Sequence, residues 1–221
     1  WHRSSSFALE VGTTGRAQAS IKKRLAGQSL HLCWSGEHID RKYLPILLHA
    51  LKRIAPERRP SVTILGDGPE TERWKNLAEQ LGISALLQWT GKIPYRQALD
   101  TMAGCDLFVS TSLMEATSNV VLEALSFGMP VICHDTCGMS VAVTAECGIK
   151  IEMHSFQRSV ERYAGAVLRV DGSPSLLEEM SRGAIRRHEQ LGWDQKVESF
   201  ARTYDEIAEK FGPRAPLKEK V

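Results

Sequence analysis

Short apolar runs recur along the chain at "LHLCW" (30–34), "VTIL" (62–65), "LLQWTG" (86–91), "LFVST" (107–111), "PVICHD" (130–135) and "GIKI" (148–151). They do not alternate apolar with polar residues, so each predicts a strand buried on both faces. Between them apolar positions take helical spacing: Leu44, Leu47, Leu48, Leu51 and Ile54, then residues 70–81, 95–103 and 119–127. This order predicts an α/β domain with a doubly wound parallel sheet of about six strands, Rossmann-like, covered by helices on both sides. Such sheets bind ligands at the carboxyl ends of their strands, so the loops after each run are where chemistry is expected.

The last third reads as helical. In "GWDQKVESFARTYDEIAEKF" (192–211), Val197, Phe200, Ala201, Tyr204, Ile207, Ala208 and Phe211 share one stripe, expected to pack on a core. Residues 1–28 are polar, basic and weakly patterned, and read as a linker or as the tail of a missing N-terminal domain. Residues 29–211 form the predicted domain, and 212–221, "GPRAPLKEKV", a flexible tail.

Charge narrows the partners. The 28 basic and 26 acidic residues leave a net charge of +2 and no concentrated basic face, which excludes a nucleic-acid partner from the expectations. No apolar stretch reaches the roughly 18 residues of a membrane span. Five cysteines are an odd number for a paired framework. Cys33, Cys105 and Cys133 sit in or beside apolar runs, as reduced thiols do, and a reducing cytoplasm fits them. Cys133, His134 and Cys137 make only a partial metal set, without zinc-finger spacing, and no metal is expected.

The post-strand loops carry the candidate chemistry. In "SGEHIDRK" (35–42), Gly36 is followed by the adjacent cations Arg41 and Lys42, placed either for a phosphate or simply for solvent. "GDGPE" (66–70) has Gly66 and Gly68 at a strand-to-helix junction, as a tight turn or as a loop that lets backbone approach a ligand. Thr71 stands where a dinucleotide fingerprint needs a third glycine. Lys92, in "TGKIPYRQAL", lies on the same rim.

"EATSNVVLE" (115–123) differs in kind. Glu115 falls on the loop after the fourth strand, and Ser118 or Asn119 can cap the helix that follows. The amides of Asn119, Val120 and Val121 are then expected to point outward unpaired, as an anion cradle. Glu123, about one turn inside, can accept bonds from a vicinal diol such as a ribose beside a cradled phosphate. It also lies within "VVLEAL", where an unsatisfied carboxylate is costly. The alternatives are a solvated pair of acids, or a general acid and base.

"EATSNVVLE" with "ALSFGMPVI" resembles the E-x7-E region of retaining glycosyltransferases of the GT-B fold, family 4. "SGEHIDRKYLPILLHAL", "VTILGDGPE", "LLQWTGKIP", "CDLFVSTS" and "GWDQKVESFARTYDEI" are similar to further segments of that family, in its order, over roughly residues 28–211. The resemblance implies the C-terminal, donor-binding half of a two-domain enzyme that transfers a sugar from a nucleotide-diphosphate sugar to a hydroxyl acceptor with retention. It implies Glu123 on the donor ribose, Glu115 at the donor sugar, and amides near Asn119 to Val121 on sugar and phosphates. It also implies Lys92 and Ile93 beside the nucleobase, and Lys42 on the diphosphate. It needs no metal or other cofactor.

The family's theme is polysaccharide or lipid-linked glycan assembly, with the glycan acceptor on the missing N-terminal domain. Peripheral association with the inner face of the membrane would come through that domain or the acceptor. The sequence departs from the family where an arginine is expected and Glu37 stands. A carboxylate about 4 Å from a phosphate charge costs on the order of 4 kcal/mol at an effective dielectric near 20. Glu37 is therefore expected to turn away and Arg41 to supply the second cation. The competing readings are a non-catalytic sugar-nucleotide-binding or scaffolding module with a degenerate site, and a nucleotide-sugar epimerase, which the closing helix disfavours.

Overall fold

A computed structural model describes residues 20–25, 27–116 and 118–212. Its strands are β1 (His31–Ser35), β2 (Ser61–Leu65), β3 (Leu87–Gly91), β4 (Leu107–Val109), β5 (Val131–His134) and β6 (Gly148–Ile151). All pair in parallel, in the order β3-β2-β1-β4-β5-β6, the doubly wound arrangement expected. Helices α1 (Pro45–Arg53), α2 (Thr71–Gln80), α3 (Tyr95–Ala103), α4 (Asn119–Ser126) and α5 (Cys137–Ala142) form the crossovers. α6 (Phe156–Asp171), α7 (Pro174–Gln190) and α8 (Trp193–Phe211) close the chain.

The non-alternating strands are explained by two cores, one on each face. Leu32 and Trp34 of β1, Leu107 and Val109 of β4, and Ile132 of β5 face a cluster shared with α1, α2 and α6. Cys33, Phe108, Val131 and Cys133 face the other, shared with α4, α5 and α7. Every residue named is 1% exposed or less, so neither face could carry a polar alternate.

Local signals set the helix starts. Pro45 opens α1, where a missing N–H costs nothing. Ser155 and Ser173 cap α6 and α7 by accepting bonds from the amides of Arg158 and Leu176.

One expectation needs adjustment. α8 forms, but four residues of its apolar stripe stand open rather than on a core: Val197, Phe200, Tyr204 and Ile207 are 61%, 42%, 71% and 49% exposed. Helical periodicity reports that one face is apolar, not that a covering surface lies in the same chain. Within the stretch read as linker, the described residues run along the domain. Lys22 is buried, with its amide on Ser181 and its ammonium on the Ala103 carbonyl, and Arg24 pairs with Asp171. The expected tail after Gly212 lies outside the described residues.

β1 is the first strand among the described residues and lies between β2 on one side and β4 on the other. Chain direction across the sheet reverses there, so the crevice opens between the loops that follow β1 and β4. Those loops carry Lys42 and Glu115.

Candidate active site

The loop after β1 is fixed by both of its neighbours. On the β2 side, the amide of Gly36 bonds to the Leu65 carbonyl, that of His38 to Asp67, and that of Glu70 to His38. This explains the glycines of "GDGPE". Gly66 has φ 105°, and a Cβ there would lie 2.1 Å from the Gly36 carbonyl oxygen; at Gly68 it would lie 2.6 Å from that of His38. Their close approach is to protein backbone, which accounts for Gly66 and Gly68 as turn and packing glycines. A Cβ at Gly36 would meet the Lys42 stem at 3.4 Å and the Trp34 ring at 3.5 Å.

On the β4 side, the Thr111 hydroxyl donates to the Lys42 carbonyl at 2.8 Å and accepts from the Trp34 indole at 2.9 Å. The Leu113 amide donates to the Arg41 carbonyl at 2.9 Å. The strand read as "LFVST" ends at Val109, and its last residues anchor this seam instead. Lys42 is followed by Tyr43 at φ 43°, a left-handed conformation costing a non-glycine residue on the order of 1 kcal/mol. A bond from its amide to Asp40 and an edge-on ring contact with Phe156 hold it.

At the seam Lys42 Nζ and Arg41 both donate to the same carboxylate oxygen of Glu115, Arg41 at 3.3 Å. Lys42 and Glu115 side chains are only 12% and 13% exposed, whereas Arg41 is 49% exposed. The Glu115 carbonyl accepts a bond from the Gly138 amide, tying the β5 loop to the same point. Glu37 is exposed.

Helix α4 starts at Asn119 with Ser118 as its N-cap, but no side-chain cap bond forms. The cradle is smaller than expected. The Val121 amide donates to the Ser118 carbonyl at 3.1 Å, because a tight first turn closes an i to i+3 bond. The amides of Asn119 and Val120 have no acceptor among the described residues.

Glu123 is half-buried and accepts a bond from the Tyr95 hydroxyl at 2.8 Å. Tyr95 opens α3, just beyond exposed Lys92 and half-buried Ile93, which packs on the second core. The structure therefore brings Arg41, Lys42 and Glu115 together at the seam, and Glu123 to the loop of Lys92 and Ile93. Trp34, Thr111 and Tyr95 were missed, since nothing about an isolated indole, hydroxyl or phenol signals a partner tens of residues away.

His38 was missed too. It is fully buried, and its ring lies 5.5, 5.1 and 5.7 Å from Trp34, Trp74 and Trp89. Nδ1 bonds to Thr71 Oγ1 at 2.7 Å. Thr71 spends its own hydrogen on the Gly68 carbonyl, so Nδ1 carries the ring proton and Nε2 is buried without a partner among the described residues. Burial lowers the pKa of His38.

Among the described residues, no group of three His, Cys, Asp or Glu side chains could hold a metal. His134 is turned into the core, toward Ser112 and Ser159, away from exposed Cys137. A groove of about 680 Å³ lies on the α1–α2 side, lined by Asp40, Tyr43, Arg73 and Phe156 among others; Lys42, Glu115 and Glu123 are not part of it. No described helix is long and apolar enough to cross a membrane.

A doubly wound α/β domain opens its ligand crevice at the switch point, where two cations and a carboxylate stand in this chain. The profile of the family described as "Glycosyl transferases group 1" matches residues 17–187, and the chain belongs to that family. It is 29% identical over 204 residues to a D-inositol 3-phosphate glycosyltransferase of Streptomyces bingchenggensis, which covers 87% of this chain and 44% of the relative. The chain thus spans less than half the length of that curated relative.

The lipopolysaccharide outer core galactosyltransferase WaaB, in its apo form, superposes with a TM-score of 0.72 at 17% identity, over 88% of this chain and 54% of its own. The pneumococcal O-GlcNAc transferase GtfA, in complex with UDP and GlcNAc, gives 0.69 at 18% identity, over 86% and 38%. These likenesses establish the fold: a Rossmann-like domain that matches one half of the GT-B fold.

Proposed function

We propose that this chain is the donor-binding half of a glycosyltransferase that moves a sugar from a nucleotide-diphosphate sugar to a hydroxyl acceptor with retention, in polysaccharide or glycan assembly. The observation that carries the reading is the convergence of Lys42 and Arg41 on Glu115 at the β1–β4 switch point. Two cations there suit the diphosphate, which gains charge as the bond to the sugar breaks. Fixed charges in a partly desolvated site stabilise that developing charge without reorganising. Glu115 shares the cations with the diphosphate and suits hydroxyls of the donor sugar. The amides of Asn119 and Val120 suit the phosphate, Glu123 the ribose, and Lys92 with Ile93 the nucleobase.

Family membership and the UDP bound to GtfA support a nucleotide-sugar donor. The acceptor and the rest of the catalytic machinery belong, on this reading, to a further domain, so the chain alone binds donor weakly and transfers little. A non-catalytic module with a degenerate site is the rival, favoured by Glu37 where the family places arginine. Against it, Arg41 already stands beside Glu115 and Lys42 as a second cation.

A thermal-shift panel of UDP, GDP and ADP sugars on this chain and on Glu123→Ala tests the proposal. Stabilisation by one of them, lost in the variant, supports it. No stabilisation of the unaltered chain removes its main support.

A further inference from the structure

We propose that Tyr95 and Glu123 form a two-acceptor clamp for the vicinal diol of a ribose, with Tyr95 setting the preference for ribonucleotide over deoxyribonucleotide donors. The inference rests on the donor-site reading above and adds to it a specificity residue and a substrate class. Tyr95 Oη donates its one hydrogen to Glu123 Oε1 at 2.8 Å. A phenol has one hydrogen and two lone pairs, so with that hydrogen committed Oη can only accept. Tyr95 is 66% exposed, which leaves those lone pairs open to a ligand. Among the described residues Glu123 Oε2 has no partner, so it too awaits a donor.

Two acceptors on neighbouring groups, locked together by a hydrogen bond, match two adjacent O–H donors. A ribose presents such a pair; a deoxyribose presents one hydroxyl and leaves one acceptor unmatched. A phenol keeps its hydrogen at neutral pH, so the clamp stays assembled there, and the bond to Glu123 raises the Tyr95 pKa further. An exposed hydroxyl–carboxylate bond adds little to folding stability, so the fold itself does not require Tyr95 to be tyrosine.

The test is calorimetric titration of the chain with uridine, guanosine and adenosine 5′-diphosphates and with their 2′-deoxy and 3′-deoxy counterparts. It is run on the unaltered chain, on Tyr95→Phe and on Glu123→Ala. In the unaltered chain each deoxy analogue should bind more weakly than the preferred ribonucleotide. Tyr95→Phe should weaken that ribonucleotide about five- to tenfold and leave one of its two deoxy analogues unaffected, since that analogue never used Oη. Glu123→Ala should abolish the discrimination against the other deoxy analogue, the one that Tyr95→Phe leaves in place.

The clamp is overturned if Tyr95→Phe binds the ribonucleotide as before. It is equally overturned if the variant weakens ribonucleotide and both deoxy analogues by the same factor, which would mark a stacking or structural role. Failure of any nucleoside diphosphate to bind the unaltered chain would instead remove the donor-site reading, and the clamp with it.

Discussion

Lys42 and Glu115 stand 73 positions apart in the sequence and form an ion pair across the seam between β1 and β4, with Arg41 as a second donor to the same oxygen. The pair is held from behind by Thr111, which bonds to the Lys42 carbonyl, and by Leu113, which bonds to that of Arg41. A diphosphate entering this seam must share cations that already have an anionic partner.

Glu115→Gln therefore separates the two roles proposed for that acid. It removes a negative charge beside Lys42 and Arg41, so a plain nucleoside diphosphate should bind several-fold more tightly. A nucleotide-diphosphate sugar should lose its advantage over the diphosphate, because its sugar loses a carboxylate partner. Lys42→Met should weaken both ligands by about tenfold or more, the loss of a charge-assisted bond. Titrations with both ligand types check the set; weaker diphosphate binding by Glu115→Gln would contradict it.

Gly66→Ala and Gly68→Ala should both destabilise the chain, by more than about 1 kcal/mol each, because the new methyl group meets backbone that cannot rotate away. Chemical denaturation measures the loss. Alanine at Gly82 is the control, since no heavy atom stands within 4 Å of its Cβ position although it shares a positive φ.

Much of this was legible in the sequence. Buried parallel strands announce themselves by unbroken apolar runs, and the helices by spacing. Glu123 stood out because a carboxylate inside an apolar run is costly unless satisfied, whereas Arg41 and Lys42 read equally as solvated cations until the resemblance put Lys42 on a diphosphate. Gly66 and Gly68 left turn and ligand loop open, since a glycine records that something comes close but not whether it is ligand or backbone. The Val121 amide was expected to be unpaired and is not, because a tight first turn cannot be told from an open one by residue type. For α8, a stripe such as Phe200 and Tyr204 shows which face is apolar and nothing of what covers it.

Stability should fall on acidification, partly through two histidines. Burial lowers the pKa of both His38 and His134 below the ordinary 6.5. The unfolded chain then binds more protons than the folded one, so their contribution is complete above about pH 6.5 and is lost as pH falls toward the folded values. Asp67 works against this shift at His38 and Lys75 works with it. His31, whose pKa is raised by its bond to Cys105, has the opposite sign. Melting temperatures between pH 7.5 and 5 should decline, and less steeply for His38→Asn than for the unaltered chain.

One thiol should react well ahead of the others. Cys137 is exposed, and its hydrogen bond with Thr136 lowers its pKa. Cys33, Cys105, Cys133 and Cys147 are buried, and burial pushes Cys133 up to about 12. Cys105 is lowered to about 5 by its bonds to Cys33 and His31, but a buried thiolate cannot meet a reagent. A disulfide reagent at neutral pH should titrate one fast thiol per chain, and none in Cys137→Ser. Cys137 neighbours the Glu115 backbone through Gly138, so a bound donor should slow that reaction.

The central claim concerns where a nucleotide sits, and a crystal structure of the chain with a nucleoside diphosphate tests it most directly. The account predicts the diphosphate within hydrogen-bond distance of Lys42 Nζ and the Asn119 and Val120 amides, with the ribose on Glu123. A nucleotide seated in the α1–α2 groove beside Tyr43 and Arg73, with no contact to Lys42 or Glu123, would contradict it.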